Sequence, residues 1–192
     1  MQARGKRRLT RVIETVIAVS SDPASTPLPA VLILACGNPS RGDDALGPVL
    51  LDRLQVWLDD TGRAAGFELL VDFQLQIENA LDVLGRHLVL FIDAGQDTPG
   101  PFVFRRAQAG AAASDLASYS THALSPEAVL MVLPHVVHEA APPAFVLCVR
   151  GERFELGEGL SAAASSHGER AFELLQALCG LAEVDAWMGQ LT

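Results

Sequence analysis

Three short apolar runs in this chain each give way to an acid. Val31–Cys36 leads through Gly37-Asn38 to Asp43-Asp44, Phe67–Val71 ends at Asp72, and His87–Ile92 ends at Asp93. Runs of this length that stay apolar without alternating read as strands covered on both faces. Phe102–Arg105 is expected as a fourth strand at an edge, and Ala144–Val149 as a fifth. Helical patterns fall between them. Leu46, Val49, Leu50, Leu54, Trp57 and Leu58 form one apolar stripe, Pro48 suits a first turn, and Asp43 or Asp44 can cap it. Gln76–Leu84 is expected to be helical with Ile77, Ala80, Leu81 and Leu84 inward, Pro126–Leu133 helical, and Ala162–Trp187 a closing helical segment. This alternation predicts an α/β fold: a single domain with a mostly parallel five-stranded sheet and helices on both faces. Ligands of such sheets bind outside the carboxyl ends of the strands, where these acids fall.

The turn from Gly37 to Gly47 has the G-x-x-x-x-G spacing of a phosphate loop in Gly37 and Gly42. A phosphate loop continues with Lys and then Ser or Thr, whereas this chain continues with Asp43 and Asp44. Two carboxylates repel phosphate and suit a cation.

The charge balance points the same way. Net charge is −9, yet Arg4, Lys6, Arg7, Arg8 and Arg11 all lie in the first eleven residues, which contain no acid. The remainder carries nine basic and 23 acidic residues, a net of −14, and has no basic stripe for nucleic acid. Nothing approaches the apolar run of about 18 residues that spans a bilayer. The stretch Val12–Val19 is interrupted by Glu14 and lacks a following cleavage site, so residues 1–29 are expected to be a disordered basic extension and linker ahead of a domain over 30–192. Cys36, Cys148 and Cys179 show no C-x-x-C pairing, which suggests reduced thiols in a cytoplasmic protein. Cys36 ends its strand, but no His or acid close in sequence activates it, so packing outranks a nucleophilic role.

Asp93 by itself reads as an ordinary turn residue. Beside Asp44 on the same sheet edge it reads as half of a cation site. His122, just before the Pro126 helix, adds an imidazole, and the three together suit Ni, Fe or Zn. His135 and His138 form H-x-x-H within a proline-bracketed connector, and His167 falls on the exposed face of the last helix. No G-x-S-x-G elbow is present, which argues against a serine hydrolase.

The ordered motifs resemble those of the [NiFe]-hydrogenase maturation proteases. The matching stretches are Leu32–Asn38, Arg41–Pro48, Gln74–Ala80, Val89–Ala94, Thr121–Pro126 and Gly157–Ser161, over roughly residues 31–182. The resemblance implies removal of a C-terminal extension from a hydrogenase large-subunit precursor once nickel has been inserted. It implies that Asp44, Asp93 and His122 meet that nickel, that the nickel arrives on the substrate, and that no organic cofactor is used. The precursor is then the partner, and the free protein is expected to be a monomer that binds neither nucleic acid nor membrane. The chain departs from the family at Asp44, where many members carry the longer Glu, and at Ala45, where Gly is common. Two other readings are a non-catalytic nickel-binding assembly module and a small-molecule hydrolase with its own metal. A tight resident metal would need thiolates or a second His, and the sequence places no such group beside the three.

Overall fold

The computed structural model describes residues 28–108, 124–136 and 140–192. Residues 1–27, the segment 109–123 that carries His122, and 137–139 with His138 lie outside the described residues. Five strands form one sheet: β1 (Val31–Cys36), β2 (Phe67–Asp72), β3 (Leu88–Gly95), β4 (Phe102–Ala107) and β5 (Ala144–Arg150). Their spatial order is β2-β1-β3-β5-β4, parallel throughout except for β4, which runs antiparallel along one edge. The expected α/β architecture is what the chain adopts.

Both faces of the sheet are covered, which explains the unbroken apolar strands. Ile33, Ala35, Leu90, Ile92, Leu147 and Val149 face α1 (Leu46–Asp60), α4 (Ala162–Gly180) and α5 (Val184–Met188). The alternate residues Leu32, Leu34, Cys36, Val89, Phe91 and Val146 face α2 (Asn79–Val83) and α3 (Pro126–Val136). Each fully buried Leu, Ile or Phe contributes about 1.5–3 kcal/mol. Trp187 is wholly buried against Phe145 and Phe104, and its indole N–H donates to the Leu178 carbonyl at 2.9 Å.

Four sequence expectations need correction. Asp43 and Asp44 do not cap α1; they occupy a 3-10 turn, Gly42–Ala45, and the N-cap is Ala45. The helix expected over Gln76–Leu84 shrinks to Asn79–Val83, with Val83 inward and Ile77 51% exposed. Asn79 Oδ1 accepts from the Gln76 N–H at 2.8 Å, which favours a tight turn over another helical turn. The closing segment is two helices, broken between Gly180 and Val184. The strand expected to end at Ile92 continues to Gly95, because β5 pairs with it from Val89 through Gly95, so Asp93 lies within β3. Among the described residues, no helix is long and apolar enough to cross a membrane.

Candidate functional site

The chain passes from β1 outward to β2 and then returns across β1 to β3. The order therefore reverses between β1 and β3, and this switch point opens a crevice at their carboxyl ends. The turn after β1 brings Asp44 to it, and β3 brings Asp93.

The strand register places further polar residues in the same row. Cys36 pairs with Asp72 on β2. Ala35 pairs with Ile92, so Cys36 stands next to Asp93 one residue on. Asp93 in turn pairs with Cys148 on β5. Asp72, Cys36, Asp93 and Cys148 thus form one row on the α2–α3 side, on strands about 4.8 Å apart.

Asp44 is 5% exposed and Asp93 9%. The Asp44 Oδ2 accepts from the Asn38 N–H at 3.0 Å, and Asn38 Oδ1 accepts from Ser40 N–H at 2.9 Å. Two glycines make this closure possible. A Cβ on Gly37, whose φ is 141°, would lie 1.9 Å from the Asp44 carbonyl oxygen, and one on Gly47 would lie 2.3 Å from the Cys36 carbonyl oxygen. Asp93 Oδ1 accepts from the Ala94 N–H at 2.8 Å.

Burial is the main cause that pushes the Cys36 thiol far above its ordinary range, and the carboxylates of Asp93, Asp72 and Asp44 push it further. Three acids are therefore near Cys36 in space although none is near in sequence, and they oppose thiolate formation. Cys148 is raised to about 12, chiefly by burial, while its Sγ lies 3.1 Å from the Thr98 hydroxyl. Thiols thus flank Asp93, contrary to the sequence expectation that none would be near, but as neutral groups. All three cysteines are buried, and none is in a disulfide.

Beside Asp93 and both thiols is a mainly apolar cavity walled by Leu75, Phe91, Val103, Pro126 and Val146. Arg105 also lines it and pairs with Glu127 at 2.5 Å; Glu127 is 2% exposed at the start of α3. No sequence motif marked this pair.

Asp43 turns away from the crevice. It is fully buried, and its carboxylate accepts from the backbone N–H groups of Ser161, Glu152 and Arg153 and from the Ser161 hydroxyl. Burial alone would raise its pKa; these four donors together outweigh burial and lower it.

The described part of the expected triad, Asp44 and Asp93, lies beside Cys36 at one sheet edge, and His122 lies outside the described residues. His135 falls in the last turn of α3 rather than in a connector, and His167 is half-buried with Nδ1 2.9 Å from the Arg150 carbonyl. Among the described residues, no group of three or more His, Cys, Asp and Glu side chains is placed to hold a metal ion.

No protein-family model matches the chain, and no curated protein matches it. Solved structures do. The hydrogenase maturating endopeptidase HybD from E. coli is 21% identical with a TM-score of 0.60, covering 79% of this chain and 93% of its own. The [NiFe] hydrogenase maturation protease HycI from Thermococcus kodakarensis KOD1 is 20% identical with a TM-score of 0.58, covering 88% and 99%. An endopeptidase from Escherichia coli is 23% identical with a TM-score of 0.59, covering 77% and 90%. The fold of this chain is that of the hydrogenase maturation endopeptidases, the family its ordered motifs resemble.

Proposed function

We propose that this protein is an endopeptidase that removes the C-terminal extension of a [NiFe]-hydrogenase large-subunit precursor after nickel insertion. What supports this reading is that Asp44 and Asp93 both act on Cys36 at the β1/β3 switch point, in the fold that the hydrogenase endopeptidases share. Asp44, Asp93 and His122 are the residues proposed to meet the substrate's nickel. Two carboxylates and a neutral imidazole balance a divalent charge and leave coordination positions for ligands from the precursor. Only a loaded precursor then docks productively. In the absence of a metal ion, burial keeps the Cys36 and Cys148 thiols protonated. A metal held in this way acts as a Lewis acid on a carbonyl within its reach. Three reduced thiols fit a reducing compartment, and we assign the reaction to the cytoplasm.

The test is to incubate the protein with nickel-loaded and with metal-free precursor and to determine the product masses. Loss of a C-terminal peptide from the loaded precursor alone is the expected result. Cleavage of metal-free precursor by a protein that carries a stoichiometric, chelator-resistant metal would instead identify an ordinary metallopeptidase.

A further inference from the structure

We propose that Asp43 is a positioning residue that sets the place of Asp44, acting through the connection between β5 and α4. The placement of Asp44 in the site rests on the function proposed above; the mechanical coupling does not.

The turn 40–43 and the connection 151–161 are joined by eight hydrogen bonds among the described residues, although they lie more than 100 residues apart in the chain. Four end on the Asp43 carboxylate: Ser161 N–H at 2.6 Å on Oδ1, and Glu152 N–H at 2.7 Å, Arg153 N–H at 2.9 Å and the Ser161 hydroxyl at 2.9 Å on Oδ2. Four more run to carbonyl oxygens: Asp43 N–H to Arg153, Gly42 N–H to Glu158, Gly157 N–H to Ser40, and Arg41 Nε to Phe154. The approach is close on both sides. A Cβ on Gly42 would lie 2.5 Å from the Arg153 carbonyl oxygen, and one on Gly151 would lie 2.9 Å from the Asp43 Cβ.

The four groups that meet the Asp43 carboxylate are all donors, so an amide in its place would turn an N–H₂ toward an N–H. The Ser161 hydroxyl also accepts from Ala164 N–H at 3.0 Å as the N-cap of α4, which ties the contact to a 19-residue helix. Asp44 is the next residue in the same 3-10 turn, and its own carboxylate faces a different partner, the Asn38 N–H. The turn is thus held on one side by Asp43 and presents Asp44 on the other. Loosening the first contact rotates the second. Displacement of a reacting group by about 1 Å costs on the order of 10²-fold in rate.

The test uses the full chain with Asp43→Asn and Ser161→Ala, and two readouts. In amide exchange, coupling predicts faster exchange at Glu152, Arg153 and Ser161 and also, by about 10-fold or more, at Asn38. Faster exchange at the first three with Asn38 unchanged would overturn the proposal and leave Asp43 a local anchor. In cleavage of nickel-loaded precursor, kcat is expected to fall about 10²-fold for Asp43→Asn, with KM changed less than about 3-fold. Undiminished kcat, or a loss confined to KM, would also overturn it. Should Asp43→Asn fail to fold, Ser161→Ala decides by the same criteria with smaller expected changes. A wild-type protein that cleaves nothing would sink the proposed function, while the Asn38 exchange would still judge the coupling.

Discussion

Cys36 on β1 and Asp93 on β3 are lateral neighbours, one residue beyond the Ala35–Ile92 pair. This relationship puts a small, buried, neutral side chain between Asp93 and Asp72, where an acid would add to the repulsion and a bulkier residue would close the crevice. It also makes the thiol inert. Burial comes first in raising it, and the three carboxylates add to that.

The first prediction concerns these thiols. Cys148 and Cys179 are raised to about 12, and Cys36 is also well above the ordinary 9.0. At pH 8 the native protein should give no fast reaction with a disulfide reagent, and in denaturant all three thiols should titrate. One thiol reacting in the native state at the rate of free cysteine would contradict this.

Asp44→Asn and Asp93→Asn separate chemistry from stability. Each variant keeps an oxygen to accept the Asn38 or Ala94 N–H, so those bonds survive. Each also relieves repulsion among Asp44, Asp72 and Asp93. Precursor processing should be abolished, with stability unchanged or raised by up to about 1 kcal/mol. Activity that declines only in step with unfolding would show that the carboxylates matter for folding alone.

Two glycine substitutions test how tightly the Asp44 turn is built. Gly62 has φ 67° and open space where a Cβ would stand, so Gly62→Ala costs only backbone strain, about 1–2 kcal/mol. Gly37→Ala adds a hard overlap with the Asp44 carbonyl oxygen and should cost more than about 4 kcal/mol. Equal urea midpoints for the two variants would mean that the turn yields easily and that the close approach is not needed.

Much of this architecture was legible in the chain because continuous apolar runs report strands buried on both faces. Val31–Cys36 and Ala144–Val149 read correctly for that reason, and Phe102–Arg105 was placed rightly at an edge. The acids after those runs located the crevice. Asn79 was less legible: its side chain competes for local backbone donors, so apolar spacing overstated the helix around it. The row of Asp72, Cys36, Asp93 and Cys148 needed register, which no single strand contains. The Asp43–Ser161 contact needed tertiary structure altogether, since its two halves belong to distant segments. A weak signal was present even so. Successive side chains of a 3-10 turn point about 120° apart, so two consecutive acids in one do not share a partner and one of them needs donors elsewhere.

The last prediction follows from those donors. The Asp43 carboxyl ordinarily titrates near 3.8, and the hydrogen bonds from Ser161, Glu152 and Arg153 hold it below that value against the opposing effect of burial. A carboxyl depressed by folding binds its proton more readily in the unfolded chain. Stability therefore rises with pH through the window between the folded and unfolded values. The contribution of Asp43 should be complete above about pH 5 and should disappear as pH falls below about 4 toward the folded value. Asp43→Asn has no such proton to bind, so the stability gap between wild type and variant should be constant from about pH 7 to about pH 5 and should shrink below about pH 4. Urea midpoints measured for both proteins from about pH 2.5 to about pH 7 check this. A gap that stays the same at about pH 3 as at about pH 7 would mean that the four hydrogen bonds are no stronger to the charged carboxylate than to the neutral acid.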